Sequence, residues 1–244
     1  MKKSISLSLL ATALLGLSSA AQAISLDFWT LSGDAALRSG ALPSLSLSTP
    51  NLVLGTSTVD VAEDAPAPAG AFNMSGVNPI AAGLDLEASV GLSGGALDNE
   101  AAMHYAMEGS SAWKDVQVNQ GDTLTMVWQF FSRPQSSADA AWLVWTQGSS
   151  TQLISLGDAS SLNQITDASS GWQRSGLQQT VLTASFTGLA RVGVVVADMD
   201  SFDGASVMAV SSLTQTSPVP ESGTWALALA GLGLVGALRQ RAVR

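Results

Sequence analysis

Residues 123–131 read TLTMVWQFF, and their hydropathy alternates with the two-residue period of a β-strand. One face of the predicted strand is wholly apolar and carries Leu124, Met126, Trp128 and Phe130. The other face is mainly polar, with Val127 and Phe131 as apolar exceptions. Gly121-Asp122, just before the stretch, is typical of a turn. The stretch therefore predicts a strand that follows a turn and packs one face against a core.

Further runs along the chain have the composition of short strands and are separated by turn-rich stretches. They are Ala141–Thr146, Thr151–Leu156, Thr180–Phe186, Arg191–Ala197 and Ser206–Leu213. Residues 191–197 are almost all apolar, which is typical of a central strand covered on both faces. Residues 27–35 suggest a strand, a turn and a strand, and residues 80–92 are the best candidate for a short helix. We predict an all-β domain, a β-sandwich or jelly roll.

Composition and charge exclude several classes of function. The chain has 244 residues, 46% of them hydrophobic and 12% charged, which favours a folded core over disorder. It contains no cysteine, so disulfides and thiolate metal sites are excluded. Residues 24–221 hold five basic and 19 acidic side chains, a formal charge of −14. A body of that charge is repelled by phosphate backbones, so we expect no nucleic-acid partner.

The N-terminus has the three parts of a secretory signal peptide. Lys2 and Lys3 supply a positive start, and an apolar run follows from about Ile5 to Leu17. Ala21-Gln22-Ala23 is a small-x-small cleavage sequence. We therefore predict that residues 1–23 are a signal peptide and that the mature chain begins near Ile24.

The C-terminus combines an apolar run with a basic end. The run extends from Trp225 to Leu238 and is followed by Arg239, Arg241 and Arg244. Counting residues 222–224, the run has 17 residues, the lower end of the length that spans a bilayer. Tryptophan suits a membrane interface and arginine the cytoplasmic side. We predict one transmembrane helix with the body on the far side of the membrane.

This tail resembles the PEP-CTERM sorting signal of Gram-negative bacteria, which joins a Pro-Glu-Pro motif to a short hydrophobic helix and a basic end. Val219, Pro220 and Glu221 match the motif region, and Ser222 stands where the motif has its second proline. The resemblance covers about the last 26 residues. It implies processing by an exosortase-type membrane protease and a place at the cell surface or in an exopolysaccharide matrix.

The body is similar to a sandwich domain that is common among PEP-CTERM proteins. The similar stretches are GSSAWKDVQVNQGDTLTMVWQFF (109–131), SGWQ (170–173) and GLARVGVVVADMDSFDGASVMAVSSL (188–213). The division of the chain is then a signal peptide at 1–23, a β-sandwich at 24–218 and a sorting signal at 219–244. The resemblance implies a fold and names no ligand.

Two patterns are candidates for a catalytic site. His104 is the single histidine, and no Gly-x-Ser-x-Gly sequence supplies the nucleophile of a Ser-His-Asp hydrolase. Asp98 and Glu100 are a pair of acids of the kind that hydrolyses glycosides, but 19 acidic residues bring such pairs together by chance. We therefore predict a protein that is not an enzyme.

The sequence DMDSFDG directly follows the predicted buried strand and is the candidate for a metal site. Asp198, Asp200 and Asp203 could offer the several oxygens that calcium requires. The spacing does not match an EF-hand, because the third acid is one residue late. Calcium is the one cofactor predicted, and a solvated turn is the alternative.

Trp142 and Trp145 are the candidate glycan-binding residues. Aromatic rings stack on sugar faces, although tryptophans also fill sandwich cores. A spacing of three places the two side chains on opposite faces of one strand.

Three hypotheses for the function follow. The leading one is an exported surface or matrix protein whose sandwich binds or organises extracellular polysaccharide. The second is a structural or adhesive surface protein without a ligand pocket, and the third is a glycan hydrolase.

Overall fold

The protein is all-β. A computed structural model of the chain describes residues 21–38, 51–62, 67–133, 138–162, 171–218 and 231–232. The strands of this part are β1 (Ala21–Ile24), β2 (Thr30–Ser32), β3 (Ala35–Arg38), β4 (Asn51–Gly55), β5 (Ile80–Ala81), β6 (Ala106–Val118), β7 (Thr123–Ser132), β8 (Ala140–Gln147), β9 (Ser150–Asp158), β10 (Gln173–Arg174), β11 (Gln178–Thr183), β12 (Gly188–Met199) and β13 (Ser206–Thr216). A helix α1 (Asp85–Ser89) and a 3-10 turn (Ala159–Ser161) complete it.

The strands form two antiparallel sheets. Sheet A has the order β10-β7-β13-β4-β3, with β1 paired to β13 and β11 paired to β7. Sheet B has the order β2-β6-β12-β8-β9, with β5 paired to β6. The six runs that the sequence predicted as strands are β7, β8, β9, β11, β12 and β13. The prediction of an all-β sandwich is confirmed.

The main core lies between the sheets. Its buried side chains come from both, for example Leu124 and Phe130 of β7 and Val192 and Val194 of β12. All four apolar residues of the 123–131 alternation belong to this core. The alternation with a period of two therefore identified correctly which face of β7 packs against the core.

Each sheet is also covered on its outer face, which explains the apolar exceptions in the sequence. On sheet B the outer cluster contains Val195 of β12 beneath Leu86 and Val90, at helix α1. On sheet A it contains Phe131 of β7 together with Trp172. A strand covered on both sides reads as apolar throughout, as predicted for residues 191–197.

Two predicted turns connect the sheets and do not close hairpins within one sheet. Strands β2 and β3 lie in different sheets, and so do β6 and β7. At the first crossing Gly33 has a φ of 76°, and a Cβ there would lie 2.6 Å from the Ser110 hydroxyl. Glycine is required at this point because an L side chain would be strained and would clash.

Strand β6, the longest, was not predicted as a strand from its periodicity. It carries Glu108, Lys114 and Asp115 among small residues, which conceals the apolar alternation. Its centre is nevertheless buried, because β2 and β12 flank it. The predicted helix is confirmed but short, since residues 80–81 are strand and only 85–89 are helical.

The two terminal predictions fall mostly outside the described residues. The signal peptide lies there up to residue 20, and the sorting signal, including Val219, Pro220, Glu221, Trp225, Leu238, Arg239, Arg241 and Arg244, lies there apart from 231–232. Within the described ranges, no helix is both long and apolar enough to cross a membrane. Residues 21–23 belong to β1, which pairs with Thr214–Thr216 of β13.

Candidate functional site

An open groove on the outer face of sheet B is the candidate site. Its volume is about 780 Å³. Strands β8 and β9 contribute one side, and the loop 95–104 and the segment 158–160 contribute the walls. The lining residues are Gly95, Ala96, Leu97, Asp98, Asn99, Glu100, Ala102, His104, Ala138, Ala140, Trp142, Leu153, Ser155, Asp158, Ser160 and Met199.

The strand side of the groove follows from the alternation of β8 and β9. Trp142 of β8 faces outward and is 9% exposed, while its neighbours Ala141 and Leu143 point into the main core. In β9, Leu153 and Ser155 face the groove, and the residue between them packs against the core. Strands β8 and β9 thus present an aromatic ring, the aliphatic side chains of Ala140 and Leu153, and the Ser155 hydroxyl to the groove.

The loop 95–104 is held in a defined shape by its own polar groups. The Asp98 carboxylate accepts a hydrogen bond from the Ala106 N–H at 2.9 Å. The N–H of Asn99 donates to the carbonyl of His104 at 2.8 Å, and the N–H of His104 donates back at 3.1 Å. These bonds close residues 98–106 into a turn, from which the loop side chains are presented to the groove.

The His104 ring is held by a carboxylate that lies outside the loop 95–104. Its Nδ1 is hydrogen-bonded to Oδ2 of Asp200. Oδ1 of the same carboxylate accepts the backbone N–H of Tyr105 at 2.8 Å. The Tyr105 N–H, followed by the His104 ring, holds the pKa of Asp200 below its ordinary value. Asp200 is therefore a carboxylate that stays ionised and orients the imidazole.

The opposite wall is a capped 3-10 turn. The Asp158 carboxylate accepts the Ser161 N–H at 2.8 Å and the Ser160 hydroxyl at 2.5 Å. The Ser161 side chain returns a bond to the Asp158 backbone, which completes a capping box. This wall is set by local hydrogen bonds that the sequence DASS can supply by itself.

The groove is rich in hydrogen-bond acceptors. Asp98, Glu100 and Asp158 lie among its lining residues, and these residues include neither lysine nor arginine. Carboxylates accept hydrogen bonds and donate none when ionised. The lining therefore suits a ligand with many donors and opposes one that carries negative charge.

The structure separates the two tryptophans predicted to bind glycan. Trp142 lines the groove, whereas Trp145 is 1% exposed and belongs to the core between the sheets. The prediction that they face opposite ways is confirmed. Trp145 is corrected from a ligand contact to a core residue, because a ligand at the surface cannot reach a ring enclosed by both sheets.

The three aspartates predicted to hold calcium are not gathered together. Asp198 is fully buried near the end of β12, Asp200 binds His104 and Tyr105, and Asp203 lies exposed in the following turn. No group of three or more acidic, histidine or cysteine side chains within the described ranges is arranged to hold a metal ion. Calcium binding by this loop stays a prediction from the sequence, and the described residues do not provide a set of ligands for it.

The groove also contains residues that the sequence did not single out. Asn99 comes from the loop 95–104, whereas Ser155, Asp158 and Ser160 come from β9 and the turn after it, far away in the chain. Their common position depends on β8 pairing with β9 and on the turn after β9. Asp98 and Glu100, the candidate acid pair, both lie in the groove.

Comparisons with known proteins give little further information. No family model matches the chain, and no curated protein matches it. Among solved structures, the chain is similar to TmCBM61 in complex with β-1,4-galactotriose, with 10% identity and a TM-score of 0.37. The match covers 79% of this chain and 90% of that one. A likeness this distant assigns no ligand and no residue roles to the present chain.

Proposed function

We propose that this is an exported surface or matrix protein whose groove on sheet B binds a neutral extracellular glycan. The observation that carries the proposal is the composition of the groove. It combines the indole ring of Trp142, which is 9% exposed, with carboxylate, amide and hydroxyl side chains.

The chemistry of sugars fits this combination. A pyranose has an apolar face that packs on an aromatic ring, and hydroxyls that hydrogen-bond to carboxylates and amides. Ligand sites in general combine an apolar surface with a few fixed polar groups. The groove is open, so a chain that continues beyond the bound units fits it better than a small enclosed molecule.

Charge selects the class of glycan. The lining carries three carboxylates without a lysine or arginine, and residues 24–221 carry a formal charge of −14. Uronic acids and sulfated sugars would be repelled from this surface at moderate salt. A neutral polysaccharide meets no such barrier.

A glycan hydrolase is the second candidate, because Asp98 and Glu100 both lie in the groove. Asp98 is already committed to the Ala106 N–H, which favours a structural role for that carboxylate. Release of reducing ends from a bound neutral glycan, lost in Glu100→Gln, would establish hydrolysis. We expect the protein to bind the glycan without releasing reducing ends from it.

The test of binding uses the full chain, purified as cells produce it, on dextran, galactan and alginate. Trp142→Ala should weaken binding to the neutral glycan by about tenfold or more, which corresponds to about 1.4 kcal/mol. Trp113→Ala is the matched control, since Trp113 lies on the outer face of the same sheet beneath Arg191, outside the groove. Equal binding by both variants and wild type would place the ligand elsewhere.

Failure of the wild type to bind any glycan would favour the structural or adhesive hypothesis. Preference for alginate over both neutral glycans would contradict the charge argument.

We also propose that the tail directs the protein to the cell surface. The support is the resemblance of residues 219–244 to a PEP-CTERM signal, with an exosortase-type protease as the implied partner. Deleting residues 219–244 should release the protein from the membrane fraction into the periplasm or medium. Unchanged membrane association after the deletion would contradict this proposal.

A further inference from the structure

The arrangement around His104 specifies which nitrogen of the ring is bound by the protein and which is left for another partner. Asp200 is fixed twice by Tyr105: its N–H donates to the Tyr105 carbonyl, and its Oδ1 accepts the Tyr105 N–H, both at 2.8 Å. Asp200 itself adopts a φ of 67°, a conformation that aspartate tolerates better than most residues. The carboxylate therefore has one oxygen left, Oδ2, and that oxygen faces Nδ1 of His104.

This contact determines the tautomer. An ionised carboxylate can only accept a hydrogen bond, so Nδ1 must carry the proton. In the neutral imidazole the other nitrogen, Nε2, is then an acceptor. His104 lines the groove and 43% of its side chain is exposed. Within the described residues, Nε2 has no hydrogen-bond partner.

We infer that His104 is a specificity-determining contact of the groove, whose Nε2 accepts a hydrogen bond from a sugar hydroxyl, and that Asp200 is the positioning residue that keeps Nε2 in this state. The inference rests on the function proposed above and adds the residue that reads the ligand. With Asp98, Glu100 and Asp158, it makes the groove a set of acceptors that selects ligands rich in hydroxyl donors.

The geometry predicts an unusual effect of Asp200→Asn. The Tyr105 N–H requires an oxygen opposite it, so the amide oxygen of asparagine takes the place of Oδ1. The amide NH₂ then faces Nδ1 of His104 and donates to it. The imidazole must move its proton to Nε2, which becomes a donor in place of an acceptor.

The tautomer is measurable without any ligand. Since the chain has one histidine, its ring nitrogen signals in ¹⁵N NMR belong to His104. At about pH 8.5, where imidazoles are neutral, wild type should show the proton on Nδ1 and Asp200→Asn should show it on Nε2. Asp203→Asn, in the same turn but outside the groove, is the control and should resemble wild type. Protonated Nε2 in wild type, or no change in Asp200→Asn, overturns the role of Asp200.

Binding tests the role of His104 on whichever of dextran and galactan the wild type binds. Asp200→Asn and His104→Phe should each weaken binding about three- to tenfold, the worth of one hydrogen bond. His104→Gln should retain most of the affinity, because its amide oxygen can accept near the position of Nε2. A purely structural histidine would not be rescued in this way.

Different results would contradict glycan binding by the groove and the contact made by His104. If wild type binds a neutral glycan and Trp142→Ala does not, but His104→Phe binds as wild type does, the inference is wrong and the proposed function stands. If wild type binds neither neutral glycan, the proposed function fails and the histidine contact fails with it. The tautomer measurement still decides whether Asp200 positions the ring.

Discussion

The two outer faces of the sandwich are covered to different extents, although the hydrophobic cluster on each face contains a tryptophan. On sheet A, Trp172 is 1% exposed and meets Phe72 edge to face at 5.6 Å, with the Arg133 guanidinium 4.4 Å from the Phe72 ring. On sheet B, Trp142 belongs to the same outer cluster as Leu86 of helix α1 and lines an open groove. A tryptophan on an outer face is therefore enclosed in the core or left at the wall of a groove according to how completely loops cover it.

The loops over the two faces are also tied down differently. On sheet A the fully buried Asp34 accepts the backbone N–H groups of Met74 and Ser75, at 2.6 to 2.9 Å. On sheet B the more exposed Asp200 holds His104 and Tyr105. The Asp34 carboxylate is enclosed by protein, whereas the Asp200 carboxylate is partly exposed to solvent.

The largest expected effect is on sheet A. Trp172→Ala should lower the free energy of unfolding by about 3–5 kcal/mol, because it removes a buried indole, its edge-to-face contact and one ring beside Arg133. Urea unfolding followed by circular dichroism measures the change. If Trp172→Ala lowers the free energy of unfolding no more than Trp142→Ala does, the two faces do not differ in how completely they are covered.

A smaller loss of stability is expected on sheet B. Trp142→Ala should cost about 1–3 kcal/mol, since the groove admits water and leaves less of a sealed cavity. The same variant should lose glycan affinity, whereas Trp172→Ala should keep it in whatever fraction is folded. Isothermal titration with the neutral glycan that the wild type binds separates the two effects. Loss of affinity in Trp172→Ala alone would reverse the assignment of the binding face.

Acid titration distinguishes the two buried or partly buried carboxylates, Asp34 and Asp200. Burial, opposed by hydrogen bonds from Met74 and Ser75, raises the pKa of Asp34, whereas the Tyr105 N–H lowers the pKa of Asp200. The Asp200 contribution to stability is present above its unfolded pKa and is lost as the pH falls through its folded pKa. The Asp34 contribution has the opposite sign and is lost as the pH rises through its folded pKa.

Carboxyl ¹³C shifts measured during acidification test this order directly. Asp34 should take up its proton first, above the ordinary aspartate value of about 3.9, and Asp200 should follow below it. The reverse order would mean that the Asp200 tie is not formed in solution.

Much of the sandwich was predictable because its strands obey local rules. The alternation at 123–131 identified the core face of β7, and the apolar run at 191–197 identified a central strand. Strand β6 was missed because its charged side chains depend on neighbouring strands for their placement. The turn before β7 was predicted, but its crossing between sheets was not, since a turn signal does not specify which sheet comes next.

The groove was less predictable than the fold. Trp142 was identified as a candidate from its residue type and its position in the strand. The sequence could not distinguish it from Trp145, because the difference is the cover that each face receives. His104 and Asp200 are 96 positions apart, so their contact depends on the pairing of β6 with β12. A local pattern carries no signal for such a pair.

Hydrogen–deuterium exchange of the full chain, with and without a neutral glycan, tests the proposed binding at the groove most directly. We predict that the glycan slows exchange in residues 95–104 and 153–160, which line the groove, and leaves exchange in residues 72–75 on sheet A unchanged. Slower exchange confined to residues 72–75 and 171–174, or no change at either face under saturating glycan, would contradict it.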